Sequence, residues 1–461
     1  MRVTEDRVTS ALDDLRDLLG ADRVLTGDDV LAQHGTDESW HPPAAPDAVV
    51  YPRSTEEAAA IVKACHAYGV PVIPFGAGTS LEGHVLAVQG GVSVDLREMD
   101  RVLRLSVEDL DVTVEAGITR EALDARLRPE GVFFPVDPGA DATLGGMAAT
   151  GASGTTTVRY GAMRENVLSL TVITAGGEIV RTRSRARKSS AGYDLTHLFI
   201  GSEGTLGLIT ELTLRVHPTP EAMSAAVCAF GELSGAVDTV IDVLASGVPV
   251  ARIELLDEIQ LDAVNRHSDL DYEVAPTLFF EFHGSEDDVA TQAAEAEAIA
   301  REHGAHGFVW TADEAERRRL WRARHRSYDA SRALRPGARA FTTDACVPIS
   351  RLAECLLETK RDIGETGLLA PIVGHVGDGN FHVAILLDPD DPAEVERAVA
   401  FNERLVTRAI ALGGTCTGEH GVGFGKAKYL ELEHGPEALG LMRSIKAALD
   451  PDGLFNPGKI V

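Results

Sequence analysis

At 461 residues, 44% apolar and 25% charged, the chain has a globular composition but is too long for one hydrophobic core, so two or three domains are expected. A formal net charge of −28 argues against nucleic acid and anionic lipid as partners, because phosphates are neutralised by basic surfaces. Met1–Leu19 alternates charges with leucines instead of offering a signal-type apolar core, and no run approaches the ~18–20 apolar residues of a membrane span, so a cytoplasmic protein with no membrane span is expected.

In chain order, Met1–Gly20 reads as an amphipathic helix closed by Gly20, and the Pro-rich run 41–46 as a stiff entry segment. Ser54-Thr-Glu-Glu57 is a capping box that opens a helix to Tyr68, ended by Gly69. The short buried strand Val70–Phe75 runs into Gly76-Ala-Gly-Thr-Ser-Leu-Glu-Gly83, and strands follow at Gly91–Leu96, Val102–Val107 and Val112–Ala116, then a helix from Thr119. Pro135–Gly161 is rich in Gly, Ala and Thr, poor in charge and set between firm strand signals. Close approach of backbone to an extended ligand explains it better than a disordered linker. Val167–Thr174 and Glu178–Thr182 pair about Gly176-Gly177, Leu212–Val216 closes this half, and Pro218-Thr-Pro220 marks a boundary.

Beyond Pro220 the pattern changes. Strand Ala225–Phe230, helix Ser234–Ala245, strand Val250–Leu256 is followed by strand Thr277–His283, helix Glu286–His303, strand Gly307–Thr311. That order suggests a ferredoxin-like antiparallel sheet with helices on one face. Asp313–Ala333 reads as one Arg-rich helix, Ala340–Pro348 as a strand, and Ala393–Gly413 and Pro436–Leu449 as helices. The domains expected are an N-terminal helical segment 1–41, a domain 42–219 and a domain 220–461. Cysteines at 65, 228, 346, 355 and 416 have neither metal nor disulfide spacing, and Cys416 reads as a buried thiol.

Pro371–Leu387 carries the densest chemistry. Two β-branched runs flank Asp378-Gly379, a strong hairpin signal. A turn centred there pairs Gly377 with Asn380, Val376 with Phe381 and His375 with His382. Opposed residues have Cβ atoms roughly 4.5–5.5 Å apart, close enough for two imidazoles to hold one metal ion. Glu419 and His420, set among glycines, offer further ligands. A lone histidine would more simply cap a polar sheet edge; two in register, with Glu-His downstream, favour a metal. The loop 76–83 could bind phosphate through its amides. It lacks the strand–turn–helix context of a dinucleotide fingerprint and the Lys-Ser or Lys-Thr of a P-loop.

Pro74-Phe-Gly-Ala-Gly-Thr-Ser-Leu-Glu-Gly83, Pro138-Gly-Ala-Asp-Ala-Thr-Leu-Gly-Gly146 and Gly201-Ser-Glu-Gly-Thr-Leu-Gly207 together resemble the flavin domain of the vanillyl-alcohol-oxidase superfamily. Trp321-Arg-Ala-Arg-His325, Thr343–Ser350, Gly374–His382, Gly414–Gly421 and Asn456-Pro-Gly-Lys459 resemble the FAD-linked D-2-hydroxyacid dehydrogenases, most of all those of the cytochrome-type D-lactate branch. The resemblance runs from about Pro42 onward. It implies an α+β protein: a PCMH-type FAD-binding domain of two α+β subdomains, a ferredoxin-like antiparallel-sheet substrate domain and a helical C-terminal cap. It implies FAD held by Pro74, Gly76, Ala77, Gly78, Thr79 and Ser80 at the pyrophosphate. Pro138, Gly139, Thr143, Gly146, Ala149, Gly151, Gly154, Thr155 and Tyr160 would line the ribityl chain and ring, and Glu203, Gly207 and Ile209 would meet the adenosine end. Thr79 stands where some members carry a flavin-linking histidine, so dissociable FAD is expected. The family places metal ligands at His375, His382 and Glu419, for one Zn²⁺ or Mn²⁺, the hydroxyl-deprotonating base at His420, and the carboxylate-binding arginine at Arg324.

Relatives that act on hydroxyglutarate carry Asn where this chain has Ala384, which implies a monocarboxylate D-2-hydroxy acid as substrate. A cytochrome, an electron-transfer flavoprotein, a quinone-linked partner or oxygen would accept the electrons, and a homodimer is allowed. Three other readings compete: a flavin-dependent transferase of the ether-lipid-synthase type, a metallohydrolase without flavin, and a non-catalytic flavoprotein subunit.

Overall fold

The computed structural model describes residues 3–461, apart from the side chain of residue 323. Residues 1 and 2 of the expected N-terminal helix lie outside the described residues; the helix itself spans Glu5–Leu19 and buries Ala11, Leu12, Leu15 and Leu19. The chain forms two compact units. One comprises the residues up to Ser153, Gly161–Thr219 and Glu419–Val461; the other comprises Gly154–Tyr160 and Pro220–Gly418. The change of unit after Thr219 falls at the Pro-rich boundary. The last segment, Glu419–Val461, groups with the first unit and not with the residues that precede it.

The first unit holds two principal sheets. Strand Val72–Phe75 lies parallel to Val92–Asp95, which lies parallel to Ala48–Val50. Helix Thr55–Tyr68 starts where Ser54 Oγ accepts from the Glu57 N–H and stops at Gly69, whose φ of 65° suits a residue without Cβ. The Glu57 carboxylate reaches back to the Arg53 N–H, one residue before the position a full capping box uses. A five-stranded antiparallel sheet runs in the order 102–106, 111–115, 208–215, 167–173, 179–181. Ile61, Val62, Val72, Val94, Val114, Leu170 and Leu212 belong to one buried cluster. Each such side chain contributes about 1.5–3 kcal/mol relative to exposure.

The tract 135–161 carries regular structure and is not a linker. It contains the helix Leu144–Thr150, capped by Thr143, and one turn at Thr157–Tyr160. Small residues let the helix sit close: a Cβ on Gly145 would fall 2.6 Å from that of Ala116.

The second unit is built on an eight-stranded sheet. Its first four strands run 305–311, 222–230, 277–284, 250–256, all antiparallel, with helices Leu233–Ala245 and Glu286–Glu302 in the two crossovers. That is the expected ferredoxin-like order. The strand Val250–Leu256 then pairs with Ile372–Gly374, which extends the sheet through Asn380–Leu387 to Arg339–Thr342. The antiparallel sheets and mixed helices agree with the α+β class inferred from sequence.

Three local expectations are corrected. The Arg-rich helix is two helices, Glu314–His325 and Ser327–Ala333, because Ser327 Oγ takes the Arg324 carbonyl at 2.6 Å and the chain turns at Arg326. Ala340–Pro348 is not one strand: it breaks at Thr343, whose N–H and Oγ1 both bond to the Val383 backbone. Helices Glu258–Ser268 and Leu352–Thr366 escaped detection.

Candidate active site

In the second unit the histidine hairpin forms, but not in the expected register. Val373, not His375, lies opposite His382, and Ile372 lies opposite Val383. Val376–Asp378 makes a 3₁₀ turn closed by Gly379 at φ 76°, so the loop is longer than a two-residue turn and His375 stands just beyond its strand. A Cβ on Gly379 would overlap the Val347 carbonyl oxygen, which ties the turn to its neighbour. The imidazoles nonetheless meet, with ring centroids 5.5 Å apart and planes at 81°.

Each ring has its Nδ1 committed. His382 Nδ1 lies 3.2 Å from the Thr343 carbonyl, and His375 Nδ1 lies 2.7 Å from Glu254 Oε1. A carbonyl or carboxylate acceptor fixes the proton on Nδ1 and makes Nε2 the lone-pair atom, the usual outer contact of a metal-binding histidine. The other Glu254 oxygen accepts from Arg324, at 2.7 Å from Nε and 2.6 Å from Nη2. Nη1 takes no part in that pair. Arg324 is therefore not a solvated charge; it is 8% exposed.

Glu254 is the functional candidate that the sequence reading passed over. Its signal was a carboxylate on a strand whose fully buried neighbours Ala251, Ile253, Leu255 and Leu256 are all apolar, with Arg252 as the other charge. Asp344 was also missed. It is buried, accepts from Asn380 Nδ2 and Thr417 Oγ1 at 2.7 Å each, and so ties the hairpin to the segment ending at Gly418. A Cβ on Gly418 would overlap the Asn380 amide. Asn380 is thus a structural partner, at the start of its strand.

In the first unit, three of the Gly-rich segments converge. The Gly201 N–H donates to the Ala148 carbonyl at 3.0 Å, and the Glu203 N–H to that of Ala149 at 2.7 Å. A Cβ on Gly76 would overlap Thr143 Oγ1, and one on Gly204 would fall 2.6 Å from Pro74 Cγ. Pro74, Gly76, Ala77, Gly78, Thr79, Ser80, Gly139, Thr143, Gly146, Ala149, Gly151, Gly207 and Ile209 all belong to this unit; Gly154, Thr155 and Tyr160 belong to the other. The 76–80 loop is half-buried, and a Cβ on Gly139 would meet nothing within 4 Å, so small residues leave space there. Tyr160 Oη bonds to His283 Nδ1 at 2.7 Å.

The Glu203 side chain has protein partners of its own. At φ 53° it turns its carboxylate onto the N–H groups of Val422 and Gly423, at 2.6 and 2.7 Å, and onto His84 Nε2 at 3.2 Å. Burial works to lower the His84 pKa, but the Glu203 carboxylate outweighs it and raises it. The carboxylate pins the loop that follows His420. Ser153 Oγ donates to Glu419 Oε2 at 2.6 Å within the same unit. The tail motif is structural: Asn456 Nδ2 donates to the carbonyls of His84 and Glu203, and Lys459 Nζ to that of Leu86. Burial lowers the Lys459 pKa to about 8. Cys416 is buried, as expected.

Residues 46–183 match the model of an FAD binding domain, and residues 219–460 match that of the FAD linked oxidases, C-terminal domain. The probable mitochondrial D-lactate dehydrogenase of Danio rerio is 53% identical over 459 residues, 99% of this chain and 92% of its own. The mitochondrial D-lactate dehydrogenase [cytochrome] of Arabidopsis thaliana is 48% identical over 416 residues, 90% of this chain and 73% of its own. Among solved structures, substrate-bound p-cresol methylhydroxylase superposes with a TM-score of 0.80 at 17% identity, covering 99% of this chain and 97% of that one, and so shares the fold. With a flavin-binding domain followed by this C-terminal domain, the chain belongs to the FAD-linked oxidases and is an oxidoreductase.

Proposed function

We propose that the protein oxidises D-lactate, or a close aliphatic D-2-hydroxy acid, to the 2-oxo acid, using dissociable FAD and one divalent ion held by His375, His382 and Glu419. The paired imidazoles, each with an acceptor at Nδ1 that makes Nε2 the lone-pair atom, carry the metal part of this reading. Two imidazole nitrogens and the Glu419 carboxylate that the resemblance assigns would make a donor set that suits Zn²⁺ or Mn²⁺.

Bound FAD supplies a two-electron acceptor, and the bound ion a Lewis acid that lowers the pKa of a coordinated hydroxyl. Arg324 binds the substrate carboxylate through its Nη1 edge, the geometry for which a planar guanidinium is suited. His420 takes the hydroxyl proton, with Glu203 fixing the backbone just beyond it. Apolar, buried Ala384 provides no partner for a second carboxylate. His84, paired with Glu203, is not presented in the 76–80 loop, and Thr79 has no imidazole, in keeping with non-covalent flavin. The name of the Arabidopsis relative supports a cytochrome as electron acceptor.

Anaerobic addition of D-lactate to the purified protein should bleach the flavin band. L-lactate should not, and chelation should abolish the response until Mn²⁺ or Zn²⁺ is restored. Bleaching by both enantiomers, faster turnover of D-2-hydroxyglutarate than of D-lactate, or full activity after exhaustive chelation would overturn the reading.

A further inference from the structure

Glu254 is a fully buried carboxylate on a strand whose other buried residues are apolar, and each of its oxygens has a different cationic or donor partner. Oε1 meets His375 Nδ1 at 2.7 Å; Oε2 meets Arg324 Nε at 2.7 Å and Nη2 at 2.6 Å. A buried Arg–Glu pair alone is weak evidence of anything, since apolar replacements of similar volume often do as well. The third contact changes that. A carboxylate kept only to neutralise Arg324 has no need to orient an imidazole whose ring lies 5.5 Å from that of a second histidine.

Resting on the function proposed above, we propose that Glu254 is a positioning residue serving both arms of the site at once, aiming His375 Nε2 at the ion and holding the Arg324 guanidinium for the substrate carboxylate. One rigid carboxylate then sets the separation between the metal arm and the carboxylate arm. A substrate must match that separation with both its hydroxyl and its carboxylate. Glu254 touches neither substrate nor ion and acts through its two partners.

Glu254→Gln, close to isosteric, keeps the volume but cannot accept from both partners as an anion. In flavin-loaded protein, titration with Mn²⁺ alone should show affinity about 10–100-fold weaker than wild type, the usual cost of losing an outer partner of a metal-binding histidine. The D-lactate concentration for half-maximal anaerobic flavin bleaching, measured at saturating Mn²⁺, should rise as well, because Arg324 is released. Glu254→Asp retains the charge opposite Arg324 but has one methylene too few to span both contacts. It serves as the second variant should the glutamine form not fold, and should show the same two losses in weaker form. Wild-type Mn²⁺ affinity in a folded variant overturns the inference while leaving the proposed function standing; so does a loss confined to D-lactate. Wild-type protein that takes up no ion overturns the metal reading and this inference with it.

Discussion

Among the described residues, the second unit contains two buried glutamate–histidine pairs on neighbouring strands, and their rings stand in different surroundings. Glu254 lies opposite Phe279 in the sheet, and Glu281 lies opposite Arg252. Both carboxylates are buried and each accepts from an imidazole, His375 at 2.7 Å and His283 at 2.8 Å. They differ in what the ring does with its second nitrogen. His283 Nδ1 accepts from Tyr160 Oη at 2.7 Å, so both its nitrogens have protein partners, and Arg252 and Arg317 stand 3.6 Å from the Glu281 carboxylate. Burial works to raise the Glu281 pKa, but Arg252, His283 and Arg317 outweigh it and hold it at about 2. The His375 ring instead packs edge-on to a second imidazole, that of His382, with centroids 5.5 Å apart. A buried Glu–His pair becomes a metal-site candidate when a second donor ring faces it; otherwise it is a satisfied polar core.

The difference can be broken from either side. His382→Ala, which removes the facing ring, should lower kcat/KM for D-lactate by about 10³-fold, because a Lewis acid is worth several kcal/mol in such a step. Steady-state kinetics at saturating metal will read this, and an effect below tenfold would contradict the two-ring site. His420→Gln should lower kcat by about 10²–10⁴-fold, the range for a general base, with Mn²⁺ affinity close to wild type.

Glu281 is expected to matter for stability and not for metal. Its folded pKa lies below the ordinary 4.5, so its contribution is complete above that pH and is lost as pH falls from 4.5 toward 2. The size is about 3 kcal/mol. Denaturant melts across that window should show wild type losing this increment relative to Glu281→Gln, while Mn²⁺ affinity at neutral pH stays equal in the two proteins. Smallest is the turn between the paired rings: Gly379→Ala should cost about 2 kcal/mol, from a Cβ at positive φ pressed against Val347. Its metal affinity should fall too, as His375 and His382 lose their relative placement.

Much of this was legible from local chemistry. Ser54 and Gly69 mark a helix because a hydroxyl satisfies an orphan N–H and a glycine tolerates positive φ. The strand–helix–strand alternation after Pro220 specifies the ferredoxin-like order, since each crossover must bury its helix against the same sheet. His375 and His382 were recognisable because they flank one turn. What sequence could not decide is whatever depends on contacts distant along the chain. The register of that turn depends on Val347 packing against Gly379, and a shift of two positions leaves the hydrophobic alternation intact. The pairing of Glu254 with Arg324 and His375 spans 70 and 121 residues. The use of the Glu203 carboxylate on the loop after His420 spans 219. Alternation and capping are set by neighbours in sequence, so the chain reveals them; which acid meets which base is set by where whole strands come to lie, and only the assembled sheet decides it.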